Sequence, residues 1–108
     1  MIKVEIETKG GRIVKGIISG HAEFAESNDI VCASVSAVSF AILNGIENVL
    51  GIPFGYETAD GYLYFTMPDD LEPHLADRVS DLLNTLYLYL LELEKQYGKN
   101  IRVSKTEV

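Results

Sequence analysis

Apolar and polar residues alternate at the start of the chain, which predicts a β-hairpin. Over residues 2–7 every second residue is apolar and the others are charged, the period-two pattern of a strand with one buried face. Gly10 and Gly11 follow, and this pair favours a tight turn because glycine accepts positive φ without steric cost. Residues 12–19 predict the partner strand, which leaves His21 just past its end.

The pattern becomes helical between residues 30 and 50. Before it, residues 27–29 (Ser-Asn-Asp) have side chains that cap helix N-termini. Small residues spaced four apart form a ridge along one face of this helix: Ala33, Ala37, Ala41 and Gly45. Bulky apolar residues occupy the other faces, so we expect a helix that is buried nearly all round. Its small-residue ridge would let another backbone approach closely.

The second half of the chain predicts another hairpin, a helix and a last strand. Residues 54–58 and 61–67 read as strands that turn at an Asp-Gly pair. Apolar residues in the following helix recur in steps of four and three: Leu75, Val79, Leu82, Leu86, Tyr89 and Leu93. The order ββαββαβ, closed by a short strand at Ile101 and Val103, indicates an α+β fold. We expect one domain over residues 1–108, with two helices packed against a mostly antiparallel sheet.

Composition is that of a packed protein in a reducing compartment. The 108 residues are 47% hydrophobic and 23% charged, and a single cysteine cannot form an internal disulfide. The first residues read as a strand rather than a signal peptide, so we expect a cytoplasmic protein. The longest nearly uncharged run, residues 30–46, is shorter than the ~18 apolar residues of a bilayer helix, so no membrane association is expected.

The charge of the chain favours basic partners and disfavours nucleic acid. Nine basic residues stand against sixteen acidic ones, for a net charge of −7 and a pI near 4.7. Direct nucleic-acid binding needs clustered lysine and arginine, which this chain lacks. An acidic surface would instead attract a basic protein, and ribosomal proteins are an obvious basic class.

Cys32 has two interpretations. If Asp29 is the N-cap, Cys32 is the third helical residue, where free amide N–H groups and the helix dipole favour the nucleophilic thiolate. His21 precedes it by 32 − 21 = 11 residues, so a strand end and a helix start could bring the two together. Alternatively, Cys32 is a small core residue among apolar neighbours. His74 begins the second helix and is expected to be solvated, and no second cysteine or paired histidine supports a metal site.

Three short runs carry a family resemblance: Gly20-His21-Ala22, Asp29-Ile30-Val31-Cys32-Ala33 and Val35-Ser36-Ala37. With the chain length and element order, they resemble the ribosomal-processing cysteine protease family (Prp). The resemblance implies a bacterial endopeptidase that removes a short N-terminal extension from a large-subunit ribosomal protein, cutting after aromatic residues. It implies a catalytic dyad of His21 and Cys32, supporting roles for Asp29 and Ser36, a homodimer, and no cofactor.

The expected mechanism follows from these residue types. Cys32 thiolate would attack the scissile carbonyl, and His21 would protonate the leaving amine and later activate water. Backbone N–H groups at the helix start, including that of Cys32 or Ala33, would stabilise the oxyanion. The chain departs from the family pattern in one place. Residues 22–28 contain no glycine, whereas the loop in the family is slightly longer and carries one just before the Asp-Ile-Val-Cys segment.

Two points remain open from the sequence. The two helices carry more apolar surface than one small sheet readily covers, which favours a two-fold dimer. The alternative to a protease is a non-enzymatic dimeric module that binds a basic ribosomal protein, with Cys32 in a structural role.

Overall fold

The computed structural model describes all 108 residues, and its elements follow the predicted order. The strands are β1 (Ile2–Lys9), β2 (Arg12–Ser19), β3 (Gly55–Ala59), β4 (Tyr62–Thr66) and β5 (Ile101–Glu107). The helices are α1 (Ile30–Asn44), which continues as a π-helical segment (Gly45–Val49), and α2 (Pro73–Gln96).

The strands form one mixed sheet in the order β3-β4-β2-β1-β5. Neighbouring strands are antiparallel except β1 and β5, which run parallel from the pair Ile2–Ile101 onward. The prediction of an α+β fold with a mostly antiparallel sheet is confirmed. This order places the end of β2 beside the β3–β4 turn, which is where the candidate site lies.

One face of the sheet forms the core. In β1 the alternate residues Ile2, Val4 and Ile6 are buried, as the period-two pattern predicts. On α2 the buried residues recur at helical spacing: Val79, Leu83, Leu86, Leu90 and Leu93. The predicted stripe is therefore confirmed, although its centre is shifted so that Leu82 and Tyr89 lie only partly buried at its edges.

The first helix differs from the prediction. Its buried residues are confined to one face: Val31, Val35, Ser39 and Leu43. The small residues Ala33, Ala37 and Ala41 are exposed, and the Phe40 side chain beside them is 48% exposed. The prediction of a helix buried nearly all round is wrong for the single chain, because only one face of α1 is covered by the core.

The helical segment Ile30–Val49 is longer than the nearly uncharged run at residues 30–46. It spans 20 residues and is apolar enough to cross a membrane by length and composition. The same criteria are met by core helices of proteins that never enter a membrane. Only 28% of an 18-residue apolar window in this segment is buried within the chain, so an apolar face is left uncovered.

Candidate active site

A cavity of about 200 Å³ lies where the end of β2, the start of α1 and the β3–β4 turn meet. His21 and Cys32 both line it, and so does Ser36, one helical turn beyond the cysteine. The turn contributes Asp60 and Gly61 to the opposite wall. The fold therefore brings the predicted histidine and cysteine to the same cavity.

Gly20 is the residue that brings the chain from β2 into the site. Its φ of +94° is a conformation that other residues rarely adopt, and an added Cβ would lie 2.3 Å from the carbonyl oxygen of Met1. Its N–H donates to the carbonyl oxygen of Gly61 at 2.8 Å. Glycine at this position thus permits the close approach of the chain start and the β3–β4 turn around His21.

The β3–β4 turn contacts the imidazole of His21. The Nε2 atom lies 3.6 Å from Oδ2 of Asp60, whose side chain is 97% exposed. A Cβ added to Gly61 would lie only 2.7 Å from the same nitrogen. The imidazole is 56% exposed, so the turn is what restricts its position on this side.

Asp29 caps α1 and also fastens the preceding loop. Its Oδ1 atom accepts the N–H groups of Val31 and Cys32, at 3.0 and 3.1 Å. Its Oδ2 atom accepts those of Phe24 and Ala25, at 2.9 and 3.2 Å. Partial burial raises the pKa of this carboxyl group, but the four backbone donors together outweigh that effect and lower the pKa below its usual value.

The sulfur of Cys32 receives a backbone hydrogen bond from the loop. The N–H of Ala22 donates to Sγ at 3.2 Å, and the side-chain amide of Asn100 donates to the Ala22 carbonyl at 2.9 Å. Ala22 is buried and Cys32 is a partly buried free thiol. The loop amide therefore fixes the sulfur of Cys32 at the wall of the cavity.

The backbone N–H groups that were predicted to stabilise an oxyanion already donate hydrogen bonds to Asp29. The N–H of Cys32 donates to Asp29 Oδ1 at 3.1 Å, and the N–H of Ala33 donates to the Asp29 carbonyl oxygen at 3.0 Å. The expectation that these two groups would stabilise an oxyanion is wrong for this conformation, because the Asp29 cap uses both. The N–H of Ala22, by contrast, donates to the sulfur of Cys32.

Comparison with known proteins identifies the family. The family described as cysteine protease Prp matches residues 1–102 of this chain. The chain belongs to the Prp family of cysteine proteases. The ribosomal processing cysteine protease Prp of Bacillus subtilis (strain 168) is 35% identical over 97 residues, covering 83% of this chain and 87% of that protein.

Two structures of Prp from S. aureus share the fold. One holds a covalently linked product peptide and matches with a TM-score of 0.87 at 30% identity, over 97% of this chain and 99% of that one. The other holds a substrate peptide and matches with a TM-score of 0.83 at 29% identity, over the same shares of the two chains. The predicted fold and the predicted enzyme class, a cysteine protease, are confirmed.

The structure also explains how this chain accommodates its departure from the Prp pattern. Asn28, one of the two residues (Ser27-Asn28) expected in place of a family glycine, has a φ of +53°, and Glu23 in the same loop has a φ of +56°. Asparagine is among the residues that tolerate this left-handed conformation best. Asn28 can therefore form the bend before Asp29 that a glycine would form.

The remaining site residues divide between those that line the cavity and those that do not. Ser36 lines it, whereas Asp29 acts at its edge through the loop and helix cap. His74 is exposed at the start of α2 and does not line it. Asp60 was missed by sequence reasoning, since it appeared only as half of the Asp-Gly turn.

Proposed function

We propose that this chain removes a short N-terminal extension from a large-subunit ribosomal protein, with Cys32 as nucleophile and His21 as general acid and base. The observation that carries the proposal is the shared cavity, in which both side chains face one space beside the β3–β4 turn. Its membership of the Prp family supports the same reaction. The product and substrate peptides bound to the S. aureus relative support a peptide as the ligand of this cavity.

The chemistry needs only residues of this chain. The Cys32 sulfur forms a bond to the scissile carbonyl carbon, and the C–N bond breaks as His21 gives its proton to the leaving amine. Water then attacks the thioester while His21 takes a proton from it, which releases the acid and restores the thiolate. The Ala22 N–H, 3.2 Å from Sγ, holds the sulfur in position before attack.

Asp60 acts in this proposal as a positioning residue. Its carboxylate lies 3.6 Å from Nε2 of His21 and is the closest acidic group to that ring. From this position the carboxylate can orient the imidazole that donates a proton to the leaving amine. The turn that holds Asp60 is itself tied to the end of β2 by the Gly20–Gly61 hydrogen bond.

The substrate class follows from the walls and the charge. Phe40 and Tyr62 line the cavity and are partly exposed, so they provide aromatic surface beside the dyad for an aromatic residue at the cut. The net charge of −7 favours encounter with a basic ribosomal protein. A cytoplasmic location agrees with that substrate and with the free thiol.

A homodimer is part of the proposal. The exposed face of α1 carries Ala33, Ala37 and Ala41, and this chain leaves it uncovered. A second copy applied about a two-fold axis would bury this apolar face on both chains. Leu90, by contrast, is fully buried in the core and has no part in the interface.

The experiment that tests the function uses a peptide with the N-terminal extension and mass spectrometry of the products. Wild-type protein should cut it once, and Cys32→Ala should leave it intact while keeping the wild-type circular dichroism spectrum. Cys32→Ser should be nearly inactive because a hydroxyl is far less ionised than a thiol at neutral pH. Cleavage by the alanine variant would remove Cys32 as the nucleophile.

The same measurement distinguishes the non-enzymatic alternative. If the protein were only a binding module, wild type and Cys32→Ala would both leave the extended peptide uncut. Its Cys32, partly buried at the cavity wall, would react with iodoacetamide slowly, whereas the catalytic thiol should react quickly in the folded protein near neutral pH.

A further inference from the structure

A second cavity, of about 430 Å³, lies between the end of α1 and the strand β3. Tyr56 and Thr58 line it from β3. Their partners across the β3–β4 ladder, Phe65 and Leu63, are buried, so both side chains lie on the face of the sheet that the helices cover. β3 is the last strand of the sheet, and Tyr56 is 51% exposed. No further strand therefore closes the cavity beside β3.

This second cavity continues the active-site cavity. Phe40 lines both of them from α1. On the side of the sheet, Thr58 lines the second cavity and the next residue, Ala59, lines the active-site cavity. Cys32 and Glu47 lie at opposite ends of the helical wall, 47 − 32 = 15 residues or about 20 Å apart along the axis. An extended peptide covers about 20 Å with roughly six residues, so one bound at Cys32 can reach Glu47.

Aromatic rings and one carboxylate line the second cavity. The ring centroids of Phe54 and Tyr56 lie 5.7 Å apart, and Phe40 adds a third ring from α1. Glu47 is exposed and has no ion-pair partner in the chain, and none of the 7 lining residues is basic. Aromatic faces and a carboxylate both attract cations. A lysine or arginine side chain suits this lining, because its apolar stem packs on rings while its charged head reaches a carboxylate.

From these observations we infer that the second cavity binds a lysine or arginine side chain of the substrate, about six residues from the cleaved bond, and that Glu47 selects it. The inference rests on the proposed function, because it takes an extended peptide to be held at Cys32. The net charge of −7 also favours a basic segment of the substrate near this surface. Glu47 lies too far from the reacting atoms to take part in the chemistry, so its effect is on binding.

The test moves one lysine along an otherwise uncharged form of the peptide with the N-terminal extension. At each position from roughly four to eight residues from the cut, on either side of it, the lysine peptide is compared with a norleucine peptide, which keeps the apolar stem without the charge. At one or two neighbouring positions wild type should cleave the lysine peptide with a kcat/KM roughly 3- to 30-fold higher, the combined effect of a cation–π contact and an exposed ion pair. The gain should appear in KM and shrink with added salt.

Substitution of Glu47 separates this contact from general charge attraction. Glu47→Gln should abolish the preference for lysine over norleucine, and Glu47→Lys should reverse it in favour of a glutamate peptide. Glu57→Gln is the matched control, because it removes the same charge from β3 but Glu57 pairs with Tyr64 and does not line the cavity. The control should keep the preference. If it loses the preference as Glu47→Gln does, general charge attraction explains the result and the inference is overturned.

The remaining outcomes are equally decisive. A second copy of the chain is the competing occupant of the cavity, so a Glu47→Lys variant that sediments as a monomer beside a wild-type dimer would overturn the inference. The absence of any lysine preference in cleaved peptides would also overturn it. If no peptide is cleaved at all, the proposed function fails. Binding of the lysine and norleucine peptides to wild type then supports the inference if lysine is preferred and Glu47→Gln removes the preference, and overturns it otherwise.

Discussion

Replacing Gly61 by alanine should slow the enzyme without unfolding it. The added Cβ would lie 2.7 Å from Nε2 of His21, against an ordinary contact of at least 3.4 Å, so the ring must move by about 0.7 Å. A displacement near 1 Å in a catalytic group can cost ~10²-fold in rate, so we expect kcat/KM to fall by roughly 10- to 100-fold. The φ of +67° adds backbone strain of about 1–2 kcal/mol to the folded state.

Gly10→Ala is the matched control for this prediction. Gly10 lies in the β1–β2 turn with a φ of +61°, and an added Cβ there meets nothing within 4 Å. Both variants should therefore lose a similar ~1–2 kcal/mol in urea unfolding. Only Gly61→Ala should lose activity, measured with a fluorogenic peptide at the same protein concentration. Equal activity in the two variants would show that His21 need not be held by the turn.

Three other predictions concern the dyad, the cap and the assembly. His21→Ala should lower kcat by ~10²–10⁴-fold while His74→Ala keeps full activity, and equal losses in steady-state assays would refute the dyad. The pKa of the Asp29 carboxyl group is lower in the folded protein than its ordinary value of 3.8, so the ionised carboxylate stabilises the fold above pH 3.8. This stabilisation is lost as the pH falls through the lowered pKa. Thermal unfolding of Asp29→Asn should thus depend less steeply on pH in that range. Sedimentation equilibrium should give a mass of twice 11.9 kDa for wild type and the mass of one chain for Ala37→Glu. Lys3→Glu, on the uncovered face of the sheet, should keep the mass of the dimer. A wild-type monomer would refute the interface.

The local patterns predicted the elements well because the spacing of apolar residues within an element shows which of that element's residues are buried. The alternation in β1 and the spacing along α2 report which residues face the core, and both survive in the structure. The pattern of α1 was less informative. Apolar residues on all faces of a helix indicate that each face avoids water, but they do not distinguish faces covered by the same chain from faces left for a partner.

A site residue could be predicted from the sequence only where its type and its immediate neighbours in the chain indicate its chemistry. A lone cysteine after a capping aspartate and a histidine at a strand exit could be singled out by type. Asp60 could not, because its contact with His21 arises from the neighbouring positions of β2 and β4 in the sheet. The hydrogen bonds that the N–H groups of Cys32 and Ala33 already make could not be predicted either, since they depend on how Asp29 is oriented at the start of the helix.

The two oxygens of Asp29 have separate partners, and this has a consequence for the robustness of the helix start. One oxygen accepts only from the first turn of α1, which carries Cys32, and the other accepts only from the loop before it. The contacts of Oδ2 can therefore be lost without removing those of Oδ1, so the cap of α1 does not depend on the conformation of residues 24 and 25. A single side chain thus supports two neighbouring segments independently of each other.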